Sequence, residues 1–207
     1  MIYLYTGSPG SGKSYHVARD IYNRLKRNKH KRVIANFMID ESKIKKCEGV
    51  FTYKDNSELT VEYLIEYAKK NHEEGIENQT LLVIDEAQVK FNSRDWQIKR
   101  NERMEWIEFF SQHRKLGYNV IMITQFDRMI DRQIRSLVEY EIRHRKINNF
   151  KIGKLIPVTT FAAITYWYGV NEKIETEFIF YRKKYSRIYD SYSIISKEYM
   201  KTGTARA

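Results

Sequence analysis

A glycine-rich stretch near the start of the chain has the residue types and spacing of a phosphate-binding loop. Residues 7–14 read Gly-Ser-Pro-Gly-Ser-Gly-Lys-Ser and lie between a short apolar run and a segment with helical spacing. Glycines let the backbone curl so that several N–H groups face one phosphate, and the following helix adds the positive end of its dipole. The stretch therefore predicts binding of a nucleoside triphosphate, with ATP and Mg²⁺ as the expected ligands.

Each residue of this loop has an expected role. Lys13 is a predicted catalytic residue because its ammonium reaches the β- and γ-phosphates, and Ser14 is a predicted Mg²⁺ ligand through its hydroxyl. Tyr15 follows directly, where its ring can pack beside the nucleotide or in the core. The residues expected to bind the cofactor are Gly7, Ser8, Pro9, Gly10, Ser11, Gly12, Lys13, Ser14 and Tyr15.

Two acids end a second apolar run. Residues 80–86 read Thr-Leu-Leu-Val-Ile-Asp-Glu, as in a strand that is buried on both faces and ends in Asp85 and Glu86. We expect Asp85 to hold Mg²⁺ through water opposite Ser14, and Glu86 to orient and deprotonate the attacking water. A base for water favours hydrolysis over transfer of the phosphoryl group to a small-molecule acceptor.

Two further side chains fit the same reaction. Residues 119–125 read as a buried strand beside the one that ends in the acids, and Gln125 at its tip is expected to sense the γ-phosphate or orient water. An arginine, often from a neighbouring subunit, stabilises the transition state in many such enzymes. Arg114, which closes the helix before this strand, is the expected residue among the candidates Arg94, Arg100, Arg103, Arg114, Arg132 and Arg135.

These side chains need alternating strands and helices to bring them together. Apolar runs predict strands at residues 2–5, 32–37, 50–53, 80–86, 119–125 and 139–146. Helical spacing predicts helices around residues 17–25, 61–68, 106–116 and 130–138, the third stopped by Gly117 and the last capped by Asp127. This order predicts an α/β fold, a P-loop NTPase core with a mainly parallel sheet flanked by helices.

The amino-acid pattern of the chain changes near residue 150. Residues 159–170 and 177–188 are aromatic-rich and lack a helical period, so we predict a C-terminal β-hairpin appended to the core. The expected domains are the core at 1–150, a β-rich appendage packed on it at 151–195, and a flexible tail at 196–207. The aromatic and basic residues at 161–189 can stack on single-stranded DNA, but burial of one aromatic face on the core explains them better.

Composition limits the partners and the compartment. The 207 residues carry a net charge of +11 with a pI near 9.5, which fits nucleic acid, an anionic membrane surface or simply a lysine-rich surface. The single cysteine, Cys47, excludes an internal disulfide and fits a reducing cytosol. No stretch reaches the roughly 18–20 apolar residues that span a bilayer. The histidines have no metal-ligand spacing, so we expect them at surface or lightly packed positions.

The combination resembles the zonula occludens toxin (Zot) family, which includes the gene I-type assembly ATPases of filamentous phages. The nucleotide motifs are generic, whereas a His-Arg-x-x-Gly stretch followed by Thr-Gln at this spacing is more specific. The likeness extends from residue 1 to about residue 192 and is carried by residues 7–16, Ala35-Asn36, residues 83–88, 111–117, 121–125, 131–135 and 189–192.

The resemblance implies an ATP-hydrolysing motor that assembles and extrudes a filamentous, single-stranded DNA phage. It implies a homo-oligomeric ring that works with phage coat protein and an outer channel protein. Relatives carry a transmembrane helix after the ATPase region. We therefore expect a cytoplasmic location at the inner face of the host cell membrane, with membrane association through a segment outside these 207 residues.

Two other functions fit the same residues. A DNA translocase or viral genome-packaging ATPase would use the same core and the basic charge, and DNA would stimulate its hydrolysis with a steep salt dependence. A nucleotide-regulated binding scaffold would bind ATP with little turnover. Replacement of Glu86 by Gln separates a motor from a scaffold, because only the motor depends on a base for water.

Overall fold

The strands form a single twisted layer that runs through the molecule. The computed structural model describes residues 1–92, 100–147 and 158–189. Within these residues the strands are β1 (Ile2–Thr6), β2 (Arg32–Ala35), β3 (Val50–Tyr53), β4 (Thr80–Ile84), β5 (Tyr118–Ile123), β6 (Tyr140–Lys146), β7 (Thr160–Trp167) and β8 (Glu172–Phe180). Their order across the sheet is β3-β2-β4-β5-β1-β6-β7-β8.

The sheet is parallel from β3 to β6 and antiparallel at its β8 edge. β1 lies between β5 and β6, with Leu4 opposite Met122 on one side and Glu141 on the other. β7 pairs antiparallel with β6, and β8 pairs antiparallel with β7. All five residues of β4 are buried, as expected for a strand covered by helices on both faces. The α/β fold with a mainly parallel sheet and a C-terminal hairpin is confirmed.

Helices cover both faces of this sheet. Adjacent residues of β4 point to opposite faces, so Val83 shares a core cluster with Ile21 of the first helix, whereas Leu82 shares one with Leu64 and Phe110 of later helices. The helices within the described residues are α1 (Lys13–Leu25), α2 (Val61–Asn71), α3 (Ala87–Lys90), α4 (Arg100–Gln112), α5 (Arg132–Arg135) and α6 (Lys183–Ser186).

α1 forms because its apolar residues recur on one face. Val17, Ala18, Ile21 and Leu25 are all buried, and each large aliphatic side chain buried in this way stabilises the fold by about 1.5–3 kcal/mol. The helix starts after Gly12, whose φ of 103° only glycine adopts without strain, and it ends where Lys26 becomes extended. The phosphate loop is therefore joined to a helix that the core holds in place.

Two helix boundaries differ from the sequence prediction. Asp127 was expected to cap a helix over 130–138, but it starts a 3₁₀ turn, Asp127–Met129, and its side chain caps nothing. The helix is α5, and its cap is Asp131, whose carboxylate accepts from the backbone N–H groups of Gln133 and Ile134. The helix expected to continue to residue 116 ends at Gln112, and a turn leads to Gly117 at φ 81°.

The hairpin is shorter than predicted and is part of the main sheet. Its second strand was expected at 177–188, but β8 ends at Phe180 and the chain then forms α6. Phe161 on β7 is buried as expected, whereas Phe178 and Phe180 on β8 are exposed. Burial of an aromatic face on the core is therefore only partial.

The domain boundaries stay predictions. The proposed division at residue 150 falls in 148–157, and the proposed tail at 196–207 falls in 190–207, both outside the described residues. None of the helices in the described ranges is long and apolar enough to cross a bilayer.

Candidate functional site

The predicted loop, acids and glutamine lie at one edge of the sheet. The phosphate loop follows β1, Asn36 follows β2, Asp85 and Glu86 follow β4, and Gln125 lies just beyond β5. Since these four strands are parallel neighbours, their carboxyl ends meet at the same edge, where open α/β sheets bind their ligands.

The phosphate loop is shaped by glycines and closed by its own hydrogen bonds. Gly7 has φ 142° and donates its N–H to the Gln125 carbonyl at 3.3 Å, which ties the loop to the end of β5. The Ser11 N–H donates to the Ser8 carbonyl at 3.1 Å. A Cβ on Gly7 would lie 2.6 Å from the His144 carbonyl oxygen, and one on Gly12 would lie 2.6 Å from the Phe161 ring. Only glycine fits at these two positions.

Lys13 lies over this loop and close to both acids. Its ammonium donates to the Gly7 carbonyl at 2.7 Å and to the Ser8 carbonyl at 3.3 Å. Burial lowers the pKa of Lys13, while the carboxylates of Glu86 and Asp85 act in the opposite direction. The structure thus brings the predicted phosphate-binding cation and the two predicted acids into one site.

Asp85 is held at both its backbone and its side chain. The Asn36 side-chain amide donates to the Asp85 carbonyl at 2.8 Å and accepts from the Asp85 N–H at 2.7 Å. The carboxylate accepts from the Glu86 N–H at Oδ1 (2.9 Å) and from the Tyr189 hydroxyl at Oδ2 (2.8 Å). Burial raises the pKa of Asp85, and the Tyr189 hydroxyl and the Glu86 N–H counteract this effect.

Glu86 and Gln125 flank the loop on the solvent side. Glu86 has a left-handed backbone with φ 47°, is exposed, and accepts a hydrogen bond from the Gln88 amide. Gln125 is half-buried and lines a cavity of about 260 Å³ together with Gly7, Ser8 and Arg143. Both side chains are therefore open to water beside the phosphate loop, and their roles in water activation stay predictions.

Tyr15 lies behind the loop, between α1 and the end of the hairpin. Its ring stacks on Tyr181, with centroids 5.3 Å apart, and packs against Phe161 at 5.6 Å. Its hydroxyl donates to the Phe180 carbonyl at 3.1 Å and accepts from the Arg182 N–H at 2.6 Å. Tyr15 joins the phosphate loop to the segment after β8.

Arg114 lies near the amino ends of the parallel strands, opposite to the carboxyl ends where the phosphate loop lies. It precedes β5 and donates to Glu139, which precedes β6, so both belong to the amino ends of the strands. It does not meet the phosphate loop of its own chain, and a role as arginine finger would need a neighbouring subunit. Arg135 forms an ion pair with Asp127 at 3.4 Å, and Arg94 lies outside the described residues.

The oxygen donors at the loop fit Mg²⁺. Ser14 offers a hydroxyl and Asp85 a carboxylate, and Mg²⁺ prefers oxygen ligands of this kind, usually one or two from protein with the rest from water and phosphate. The described residues hold no group of three or more His, Cys, Asp or Glu side chains that could bind a metal ion.

The histidines correct one sequence expectation. They were expected at surface or lightly packed positions, yet His16 is 4 % exposed and His144 is 2 % exposed. Their rings lie 2.8 Å apart between His16 Nδ1 and His144 Nε2, and His144 Nδ1 lies 3.2 Å from the Thr6 carbonyl oxygen. Burial lowers the pKa of each to about 3, so both are neutral. The position of His16 on the buried face of α1 was a signal for this.

Comparison with known proteins identifies relatives among phages. A family model described as zonular occludens toxin (Zot) matches residues 1–194. The Gene 1 protein of Escherichia phage If1 is 27 % identical over 168 residues, which cover 77 % of this chain and 46 % of that protein. The Gene 1 protein of Enterobacteria phage I2-2 is 39 % identical over 82 residues, 38 % of this chain and 22 % of that protein. The chain spans about half the length, or less, of these curated relatives.

Solved structures share the fold at low sequence identity. The N-terminal domain of zonular occludens toxin from Neisseria meningitidis is 19 % identical, with a TM-score of 0.57 over 91 % of this chain and 98 % of that one. The DNA-packaging ATPase from Sulfolobus turreted icosahedral virus is also 19 % identical, with a TM-score of 0.54 over 86 % and 95 %. Because the family model matches residues 1–194 of 207, the chain belongs to the zonular occludens toxin (Zot) family.

Proposed function

We propose that this chain is the ATP-hydrolysing region of a motor for assembly and extrusion of filamentous phage. The observation that supports it is the meeting of the phosphate loop, Lys13, the Asp85–Glu86 pair and Gln125 at one edge of the sheet. Relatives named Gene 1 protein come from phages such as If1. ATP and Mg²⁺ are the proposed ligands.

Each residue has a part in the proposed reaction. The loop N–H groups and Lys13 would hold the phosphates, and Ser14 and Asp85 would hold Mg²⁺, which when bound would draw charge from the phosphate oxygens. Glu86 takes a proton from a water whose oxygen attacks the γ-phosphorus, while Gln125 orients that water. The bond from the γ-phosphorus to its bridging oxygen breaks, and ADP and phosphate leave.

The proposed assembly is a ring of identical subunits. In it, Arg114 would reach the nucleotide of the neighbouring subunit, because its own phosphate loop lies at the other edge of the sheet. The proposed location is the cytoplasmic face of the host inner membrane, with attachment through a segment outside these 207 residues. Phage coat protein and channel proteins are the proposed partners.

A specific surface favours a second candidate, a DNA translocase or genome-packaging ATPase. One face of β8 exposes Phe178 and Phe180, and the exposed Arg182 and Lys183 follow β8. Exposed aromatic rings beside cations are the features that stack and hold single-stranded DNA. The +11 net charge acts in the same direction.

Phosphate release from ATP tests these candidates when it is measured with Mg²⁺, with EDTA, and with Mg²⁺ and single-stranded DNA at low and at high salt. The motor predicts release from ATP with Mg²⁺ and little release in EDTA, with no strong dependence on DNA. Stimulation by single-stranded DNA that falls steeply between about 50 and 200 mM salt would favour the translocase. A chain that binds ATP but releases phosphate no faster than ATP hydrolyses in buffer alone would support the third candidate, a binding scaffold. That result would contradict both motors.

A further inference from the structure

We propose that Tyr189 is a positioning residue that fixes the Asp85 carboxylate for Mg²⁺, and so ties the segment after β8 to the nucleotide site. The inference rests on the proposed function, because it assumes that Asp85 holds Mg²⁺ beside a nucleotide. It concerns a residue that is 104 positions from Asp85 in the sequence and lies outside the loop and acid motifs.

The contacts of Tyr189 are those of a side chain built to orient Asp85. Its hydroxyl donates to Asp85 Oδ2 at 2.8 Å, while Oδ1 accepts from the Glu86 N–H at 2.9 Å. With one donor on each oxygen, the carboxylate cannot rotate without losing a hydrogen bond. Each oxygen keeps a second lone pair, so a hydrated metal ion can still be accepted.

The ring of Tyr189 is itself held in place. It packs edge-on against Phe37, with centroids 4.7 Å apart and planes at 76°. Phe37 is 2 % exposed and follows Asn36, whose amide holds the Asp85 backbone. Asn36 therefore positions the Asp85 backbone, and Tyr189, packed on the next residue Phe37, positions the Asp85 carboxylate.

The chain between β8 and Tyr189 meets the nucleotide site at both of its ends. At its start, the Arg182 N–H donates to the Tyr15 hydroxyl at 2.6 Å, and Tyr15 follows Ser14. In its middle, Tyr185 packs edge-on against Tyr22 of α1 at 5.2 Å. Near its end, the Asp40 N–H donates to the carbonyl of the buried Ile188 at 2.9 Å. Residues 181–189 thus form a strap across α1, which we call the C-terminal strap.

A hydrogen bond from a neighbouring group typically decides how well a metal ligand is oriented. Removal of such a partner costs about 10–100-fold in metal affinity or activity, because the ligand must then be ordered when the ion binds. The reverse effect follows from linkage: an ion that fixes Asp85 also stabilises the hydroxyl contact and with it the strap. The residue that orients the metal ligand is therefore also the point through which nucleotide binding acts on the strap.

The test compares Tyr189→Phe with Tyr181→Phe. Both variants keep the ring and lose one hydroxyl, but the Tyr181 hydroxyl bonds Ser186 and does not contact Asp85. Affinity for a fluorescent, non-hydrolysable ATP analogue is measured with Mg²⁺ and with EDTA. We expect Tyr189→Phe to weaken binding about tenfold or more with Mg²⁺ and to leave the EDTA value unchanged, with Tyr181→Phe like the wild type.

An equal loss with Mg²⁺ and with EDTA would show a merely structural role, and no loss in either would show that Tyr189 positions nothing. Both results overturn the proposal. A wild-type chain that binds the analogue but never hydrolyses ATP would instead overturn the proposed function, and the Mg²⁺ comparison would still decide the role of Tyr189.

A second readout tests the link to the strap. Trypsin can cut after the exposed Lys183, Lys184 and Arg187, and the products are identified by mass. Mg²⁺ with the analogue should slow these cuts in the wild type and in Tyr181→Phe, but not in Tyr189→Phe at saturating analogue. Equal protection in all three would contradict the proposed link.

Discussion

At the scale of single residues, the site depends on charges that the fold partly removes from water. Burial lowers the pKa of Lys13 and raises that of Asp85, so each is pushed toward its neutral form. Each charge is kept by its neighbours, Lys13 by the two acids and Asp85 by the Tyr189 hydroxyl and the Glu86 N–H. A bound phosphate would complete this balance, because it places negative charge beside Lys13.

Asn36 gives a residue-scale prediction. In Asn36→Ala the half-buried N–H and C=O of Asp85 lose their partners, and each unsatisfied group costs about 1 kcal/mol or somewhat more. We expect the free energy of unfolding, measured in urea, to fall by about 2–3 kcal/mol. Asn71→Ala is the control, since its amide makes one contact, to the Tyr67 carbonyl, and we expect a loss of about 1 kcal/mol or less. Equal losses would contradict the role of Asn36.

The residues whose role sequence analysis predicted and those whose role it missed differ in how they reach the site. Lys13, Ser14, Asp85 and Glu86 stand in local patterns whose spacing alone indicates their chemistry. Asn36 and Tyr189 reach Asp85 from 49 and 104 positions away, through packing that no local pattern encodes. Asn36 lies near the end of the strand predicted at 32–37, but an amide at a strand end has many possible partners.

At the scale of elements, the glycines of the loop set how closely α1 approaches the hairpin. Gly12 has φ 103° and its missing Cβ would lie 2.6 Å from the Phe161 ring of β7. Gly10 also has a positive φ, 74°, but nothing lies within 4 Å of its missing Cβ. An added Cβ would therefore meet a left-handed backbone at both glycines, but a packed neighbour only at Gly12.

The pair of variants Gly12→Ala and Gly10→Ala tests this packing. Both place alanine at a positive φ, which costs roughly 1–2 kcal/mol, but only Gly12→Ala also pushes against a buried ring. We expect Gly12→Ala to lower the free energy of unfolding by at least about 1 kcal/mol more than Gly10→Ala in urea denaturation. If the two variants unfold alike, α1 does not depend on contact with β7 at this point.

Element boundaries could be predicted only where local chemistry decides them. Asp127 and Asp131 are both suitable caps, but Asp131 N–H donates to the Phe91 carbonyl at 2.9 Å, and Ile130 bridges to Asn92. These contacts hold the chain extended, so the helix starts after Asp131. β8 likewise ends where Tyr15 binds the Arg182 N–H, a contact across 167 residues.

At the scale of the whole molecule, the basic chain contains a polar cluster between α1, β6 and β8, in which the two histidines are buried. Arg19 donates to Glu177 on β8 and contacts His16 Nε2 at 2.7 Å, and His16 contacts His144 on β6. The two neutral histidines are buried, while the charged side chains of Arg19 and Glu177 beside them reach solvent. The cluster joins the hairpin to the phosphate-loop helix.

This cluster predicts loss of stability in acid. The pKa of His16 and His144 is about 3 in the folded chain and about 6.5 when unfolded, so below pH 6.5 only the unfolded chain takes up their protons. Each histidine therefore lowers the free energy of unfolding by about 2 kcal/mol at pH 5, because the loss below pH 6.5 is about 1.4 kcal/mol per pH unit. Asp20, whose pKa burial raises to about 6, opposes this because its folded form gains a proton first.

Urea denaturation at pH 7.5 and pH 5 measures the balance. We expect the free energy of unfolding to fall by a net of about 2.5 kcal/mol at pH 5, because the two histidines together remove about 4 kcal/mol and Asp20 offsets about 1.4 kcal/mol. A His30→Gln control should show the same loss, because His30 is exposed. His144→Gln should lose less on acidification than either. An unfolding free energy that is equal at the two pH values would contradict the assignment of neutral, buried histidines.

The central claim is that the chain hydrolyses ATP with Glu86 as the base, and steady-state phosphate release by Glu86→Gln tests it most directly. The variant should bind the ATP analogue as the wild type does and lose at least about 100-fold in phosphate release, the loss typical of a removed general base. The control Glu77→Gln, at an exposed position away from the loop, should release phosphate normally. Release by Glu86→Gln at the wild-type rate would contradict the account.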